Sequence, residues 1–223
     1  MNPVVFIFLI TLFLANPAFG SDKLSGIIEG INDKYHDLPG LSVSYTREVL
    51  TRSMSMLGTR AKGDLATGKI YFRPPHCLRL EQEKPQAETI IANAENLWWY
   101  VPGKKRVHKY SSREFGKELE LLSDIFRGLK QVEKRFRVTI VDQNDQGEYL
   151  VLLRPDPPWQ DIERIRITVT PSFDIRVLEI FNQLGSITRF TLKDLAAKGD
   201  FKKDFFDFRV PDGVKLIEGG GNH

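Results

Sequence analysis

Ile162-Glu163-Arg164-Ile165-Arg166-Ile167-Thr168-Val169 sets aliphatic residues at 162, 165, 167 and 169 against arginines at 164 and 166. Successive side chains on a β-strand point to opposite faces, so this period of two describes a strand with one apolar and one solvated face. The same strand character recurs on either side. Residues 136–141 and 148–153 precede it, and 175–181 and 186–192 follow. Asp145-Gln146-Gly147 and Leu184-Gly185 supply the turns between neighbours. Further upstream, Leu41, Val43 and Tyr45 alternate with Ser42, Ser44 and Thr46, and short runs at 68–72, 78–82, 89–92 and 97–101 are each bounded by Gly, Pro or Asn. Connections this short leave no room for crossover helices, so the sheet is expected to be antiparallel.

Two segments break the pattern with helical spacing. Leu24, Ile27, Ile28, Ile31 and Tyr35 form one face of an amphipathic helix that ends before Pro39-Gly40. Phe115, Leu119, Leu122, Ile125, Phe126 and Leu129 form a second stripe, interrupted by Gly116 and Gly128, as one helix or two short ones. So little helix is thin cover for so many strands. The expected fold is therefore mainly β, a curved antiparallel sheet whose concave side is closed by a lid or by a ligand.

The first twenty residues stand apart. Val4 to Ala15 is an apolar run of 12 residues, followed by Asn16-Pro17 and Ala18-Phe19-Gly20. That run is short of the roughly 20 residues that span a bilayer as a helix, and it reads as a signal peptide cleaved near Gly20-Ser21. Residues 21–223 are then one domain located in the periplasm. Residues 1–20 hold no charged side chain, so the remainder keeps the whole net charge of +3, too small a surplus to suggest nucleic acid.

Cys77 is the sole cysteine, and His36, His76, His108 and His223 lie far apart, so neither a disulfide nor a locally encoded metal site is expected. No cofactor is implied. Nucleophile-elbow, Walker and dinucleotide motifs are all missing from the sequence, which argues for a non-enzymatic role. His76 beside Cys77 does not make a catalytic pair, because strand neighbours face opposite sides.

The densest basic run, Lys104-Lys105-Arg106-Val107-His108-Lys109, follows the Pro102-Gly103 turn. It reads as a solvated hairpin tip or a contact for an acidic partner or anionic surface. In Trp98-Trp99-Tyr100, alternation puts Trp98 and Tyr100 on one face and Trp99 on the other. One of those faces is either ordinary core or the wall of a cavity.

Several segments in order resemble the LolA family of periplasmic outer-membrane lipoprotein carriers. They are Leu41-Ser-Val-Ser-Tyr45-Thr, Gly68-Lys-Ile-Tyr-Phe-Arg-Pro-Pro75, Leu78-Arg-Leu80 leading to Glu83-Lys-Pro85, and Leu97-Trp-Trp-Tyr-Val-Pro102. Residues 119–126 stand in the place of the family's lid helix, and Gly185-Ser-Ile-Thr188 and Phe206-Asp-Phe-Arg-Val-Pro-Asp-Gly-Val214 complete the match. The resemblance implies a mainly β fold, a strongly curved antiparallel sheet forming an incomplete barrel closed by an N-terminal helix and a lid helix, and a chaperone that holds the acyl chains of lipoproteins in its apolar cavity. It takes them from an inner-membrane LolCDE-like transporter and delivers them to a LolB-like receptor, acting as a monomer. Exposing acyl chains to water costs about 0.8 kcal/mol per methylene, which is why an aqueous compartment needs such a carrier.

By this resemblance Leu78 and Leu80 line the cavity with the Leu119, Leu122, Ile125 and Phe126 stripe, joined by Tyr45 and Trp98. Gln82 is more polar than the family's pattern at that face. Pro74 occupies the place of the family's lid-latching arginine, and Arg73 is one residue early. Arg73, with Lys104, Lys105 and Arg106, is the expected lid or partner contact. Leu78→Glu is expected to spare the fold and weaken cargo binding. The alternative reading is a half-barrel of the same shape that binds or senses another lipid or glycolipid in a separate envelope system.

Overall fold

The computed structural model describes residues 19–56, 63–112, 116–129 and 132–219; residues 1–18, most of the expected signal peptide, lie outside them. Helix α1 (Phe19–Tyr35) leads into β1 (Leu41–Leu50), a short α2 (Arg52–Met56), β2 (Asp64–Arg73), β3 (Cys77–Lys84), β4 (Glu88–Ala92), β5 (Asn96–Val101) and β6 (Arg106–Ser111). Helix α3 (Gly116–Phe126) precedes β7 (Phe136–Gln143), β8 (Tyr149–Pro155), β9 (Ile162–Val169), β10 (Ile175–Asn182), β11 (Ile187–Ala197) and β12 (Lys215–Glu218).

The strands form one twelve-stranded sheet in the order β12-β6-β5-β4-β3-β2-β1-β11-β10-β9-β8-β7. Neighbours in sequence pair antiparallel from β1 to β6 and from β7 to β11, and β1 joins the two halves by pairing with both β2 and β11. The sheet is open, and β12 and β7 are its edges. Its curvature shows in the core: Leu41, Val43 and Phe72 of the first half join Val151, Ile165, Ile167 and Leu178 of the second in one buried cluster. Flat sheets of this width could not bring both halves into a single core.

One strand departs from the antiparallel expectation. Residues 215–218 add to β6 in parallel, Lys215 opposite Arg106 and Ile217 opposite His108. The sequence offers no alternation there, and the intervening chain from β11 supplies the crossover that a parallel pair requires.

Nor is the convex face solvated throughout. Phe201, Phe205 and Phe206 pack together at 5.0–5.3 Å between ring centroids. The segment that carries them lies across the outside of β2–β6. Phe205 meets Tyr71 edge-on at 5.1 Å, and Phe208 lies 5.4 Å from both Trp98 and Tyr100. Arg73 and Arg79 stack their guanidinium groups on Phe206 and Phe205. Ile91 and Val107, on outward positions, are buried as a result.

Farther round the convex face, on β1, β9, β10 and β11, charges pair across the strands. Glu48 binds Arg189 at 2.9 Å, Arg189 binds Glu179 at 3.0 Å, and Glu179 binds Arg166 at 2.5 Å. Burial by itself would raise the Glu179 pKa, but Arg166 and Arg189 outweigh it and hold the carboxyl below its ordinary value.

On the concave side, α1 buries Ile27, Ile31 and Tyr35, and the Tyr35 hydroxyl accepts the Ile175 amide at 3.0 Å. Lys34 fixes the same end of the helix to Asp174 at 2.6 Å. Helix α3 closes beside it through Gly128, whose φ of +82° is readily adopted only without a side chain. A Cβ at Gly128 would also lie 2.6 Å from the Asn32 Cα, so the two helical segments touch backbone to backbone there.

Candidate functional site

Strand register arranges the concave face of β1–β5 in three rows, about 7 Å apart along the strands. Leu41, Phe72, Leu78, Ala92 and Leu97 stand opposite one another in the first row. Val43, Ile70, Leu80, Ile90 and Trp99 form the second. Tyr45, Gly68, Gln82 and Glu88 form the third. The face is thus apolar for two rows and polar in the third.

Helix α3 covers the first row. Its 11 residues place Leu121 and Ile125 one turn apart on the same side, and both are buried together with Phe126. Phe126 packs on Phe72 with ring centroids 5.6 Å apart. The Ser123 hydroxyl donates to the Pro75 carbonyl at 2.7 Å, tying the helix to the β2–β3 turn. Asp124 pairs with Arg135, which steadies the chain just beyond the helix.

The second row is only partly covered. Val43 and Ile70 are buried, whereas Leu80, Ile90 and Trp99 remain half-buried on a concave surface. The Trp99 indole NH donates to Glu88 at 3.0 Å, and its ring stacks on His108 at 5.3 Å.

In the third row, Gly68 puts no side chain between Tyr45 on β1 and Gln82 on β3. A Cβ at Gly68 would fall 1.9 Å from the Glu81 carbonyl, so the β2–β3 bulge at this point requires glycine. Arg47, next on the inner face of β1 and opposite small Ala66, reaches to Gln82 and donates to its side-chain carbonyl at 3.2 Å. The Gln82 amide in turn donates to the Gln86 carbonyl at 2.9 Å. The Tyr45 hydroxyl and the Arg47 Nε are buried with no hydrogen-bond partner. Burial, moderated by Arg47 and reinforced by Glu88 and Glu83, pushes the Tyr45 phenol up to about 12.

The residues expected from the sequence fall as follows. Tyr45, Leu78 and Leu80 are on the concave face, and Ile125, Phe126 and half-buried Leu122 pack against the core from α3. The side chain of Leu119 lies outside the described residues. Leu78 is 6% exposed beneath the lid, so Leu78→Glu would place a carboxylate in the core rather than spare the fold.

Trp98 is on the opposite face from its expected place, stacked between Phe208 and Lys109, and Trp99 is the inward tryptophan. Arg73 likewise turns outward, onto Phe206 on the convex face. Lys104, Lys105 and Arg106 are exposed at the β5–β6 tip, at the far end of the strands from the turn that holds α3. They are therefore not lid contacts.

Leu121, Ser123 and Glu88 were missed by sequence reading. Arg47 and Trp99 could have been found by continuing the β1 and β5 alternations inward from Tyr45 and Leu97.

A model of the family described as "Outer membrane lipoprotein carrier protein LolA" matches residues 55–209. The chain belongs to the LolA family. An outer-membrane lipoprotein carrier protein of Francisella philomiragia is 24% identical over 187 residues, covering 83% of this chain and 85% of the relative. Another from Nitrosospira multiformis is 23% identical over 215 residues, covering 96% and 95%. Among solved structures, an uncharacterized conserved protein from Thermus thermophilus superposes with a TM-score of 0.54 at 9% identity, covering 88% of this chain and 99% of that one. Within the LolA family this chain closes its lid through Ser123 and Phe126 onto the β2–β3 turn and β2, with proline at 74 and 75.

Proposed function

We propose that this LolA-family protein is a periplasmic carrier that binds the acyl chains of lipoproteins on its concave face, with residues 21–223 as the exported domain. One observation carries the reading. Leu80, Ile90 and Trp99 are large and apolar, face inward on a curved sheet, and are left half-buried beside a short lid. Acyl chains displacing the α3 side chains would bury that row and gain about 25 cal/mol for every Å² removed from water. Tyr45, Leu78, Leu80, Leu122, Ile125 and Phe126 are then the contacts, and no covalent chemistry is needed.

Delivery from a LolCDE-like transporter to a LolB-like receptor belongs to the same proposal. The exposed Lys104, Lys105 and Arg106 tip is the surface offered to a partner. Depleting the protein should strand acylated outer-membrane lipoproteins in the inner membrane. Normal sorting under depletion would refute the lipoprotein route.

A second reading, carriage of another lipid or glycolipid, is favoured by one feature. Arg73 is stacked on the convex face, so the lid is held by a neutral serine bond rather than by an arginine. Under depletion this reading predicts correct lipoprotein sorting with a change in envelope lipid.

A further inference from the structure

We propose that the polar end of the concave face, the third row together with Arg47 just beyond it, is a subsite in which Tyr45 and Arg47 bind the ester carbonyl that joins an acyl chain to its glycerol. The inference rests on the lipid-carrier reading and adds to it the orientation of the cargo.

Tyr45 is 3% exposed, and its hydroxyl has no partner. The Arg47 Nε beside it is also buried and unpartnered, while the other arm of the guanidinium is engaged by Gln82. Buried polar groups are almost always hydrogen-bonded, so two orphaned N–H and O–H donors on adjacent inward positions of β1 point to an acceptor oxygen that the ligand supplies. Both donors belong to the same face as half-buried Leu80 and Ile90, which lie one row nearer the lid.

Charge selects among acceptors. Arg47 brings one positive charge one row beyond Tyr45, and the Glu88 and Glu83 carboxylates also act on the Tyr45 hydroxyl. One guanidinium beside two carboxylates suits an uncharged carbonyl better than a phosphate. On β2, between β1 and β3, these positions carry only Gly68 and Ala66, so no long side chain separates Tyr45 and Arg47 from Gln82. The tails then run along the apolar rows toward α3 and Phe126, and the linkage stays at the end nearer the β5–β6 tip.

The test compares ester-linked and ether-linked lipids of equal chain length, each as a diacyl or dialkyl lipopeptide and as the corresponding phospholipid. Binding to the full mature chain is read by displacement of an apolar fluorescent dye. A hydrogen bond to a buried carbonyl, with relief of the orphaned donors, predicts about tenfold tighter binding of ester than ether. Tyr45→Phe should cut the ester preference to about threefold, the share left to the Arg47 donor. Preference for the lipopeptide or the phospholipid identifies the source of the ester, and either supports the subsite. Equal affinity for ester and ether in the wild type overturns the subsite and leaves the carrier reading standing. Failure to bind any of the four overturns both.

Discussion

Ser123→Ala removes a side-chain bond by which α3 holds the β2–β3 turn, the 2.7 Å contact from the Ser123 hydroxyl to the Pro75 carbonyl. Ser123 is 5% exposed, so water does not simply replace the bond. A buried neutral hydrogen bond contributes about 1 kcal/mol, which corresponds to roughly a fivefold change in an equilibrium constant. Helix α3 has 11 residues, too few to be stable away from the surface it packs on. Undocking the lid and melting the helix are therefore one event, and amide hydrogen exchange reports it. Exchange in peptides covering 116–129 should accelerate about fivefold in Ser123→Ala, with β8–β10 unchanged. Phe126, buried against Phe72, sets the upper end: Phe126→Ala should cost about 3 kcal/mol and speed the same amides by a hundredfold or more. If Ser123→Ala leaves α3 exchange at the wild-type rate, or accelerates β8–β10 equally, the bond does not restrain the lid and the account of closure is wrong.

Three further outcomes follow from the structure. Glu179→Gln breaks both ion pairs of a buried carboxylate and should cost about 2 kcal/mol in urea unfolding at neutral pH. Because the folded-state pKa of Glu179 is lowered, its contribution is present above the ordinary value of 4.5 and lost as pH falls through the lower folded value, so the variant's deficit should shrink in acid. Tyr45→Phe removes an unpartnered buried hydroxyl and should stabilise the empty protein by about 1 kcal/mol, and a loss of that size would mean the hydroxyl is bonded. Leu78→Ala should cost about 3 kcal/mol as a core cavity, whereas half-buried Leu80→Glu should keep the midpoint within about 1 kcal/mol and weaken apolar dye uptake by tenfold or more.

The alternation of residues 162–169 made the open β-sheet legible, because one face there is solvated by paired charges and the other is core. At β5 the same logic had no purchase. Trp98 and Trp99 are both large and both half-buried, Trp99 against His108 on the inner face and Trp98 against Phe208 on the outer. Which tryptophan points inward is set by register with β4 and by a cover more than a hundred residues away in the chain, neither of which local periodicity encodes. The lid stripe shows a smaller version of the same limit. Leu121 and Leu122 are adjacent, so a one-residue phase error passes unnoticed, and the buried one is Leu121. Strand β12 was illegible because its pairing with β6 is parallel and at an edge, where alternation is not imposed.

The polar third row was half visible. Gln82 stood out in the sequence as too polar for its face, and continuing the β1 pattern past Tyr45 leads to Arg47. Their meaning depends on Gly68 and Ala66 lying between them, which only the register of β1, β2 and β3 reveals.

The central claim, a concave face that holds acyl chains, is tested most directly by native mass spectrometry of residues 21–223 purified from the periplasm without detergent. The account predicts an acylated lipoprotein bound one to one, released when the lid is loosened by Phe126→Ala. A chain that emerges empty and also takes up no apolar dye would contradict it.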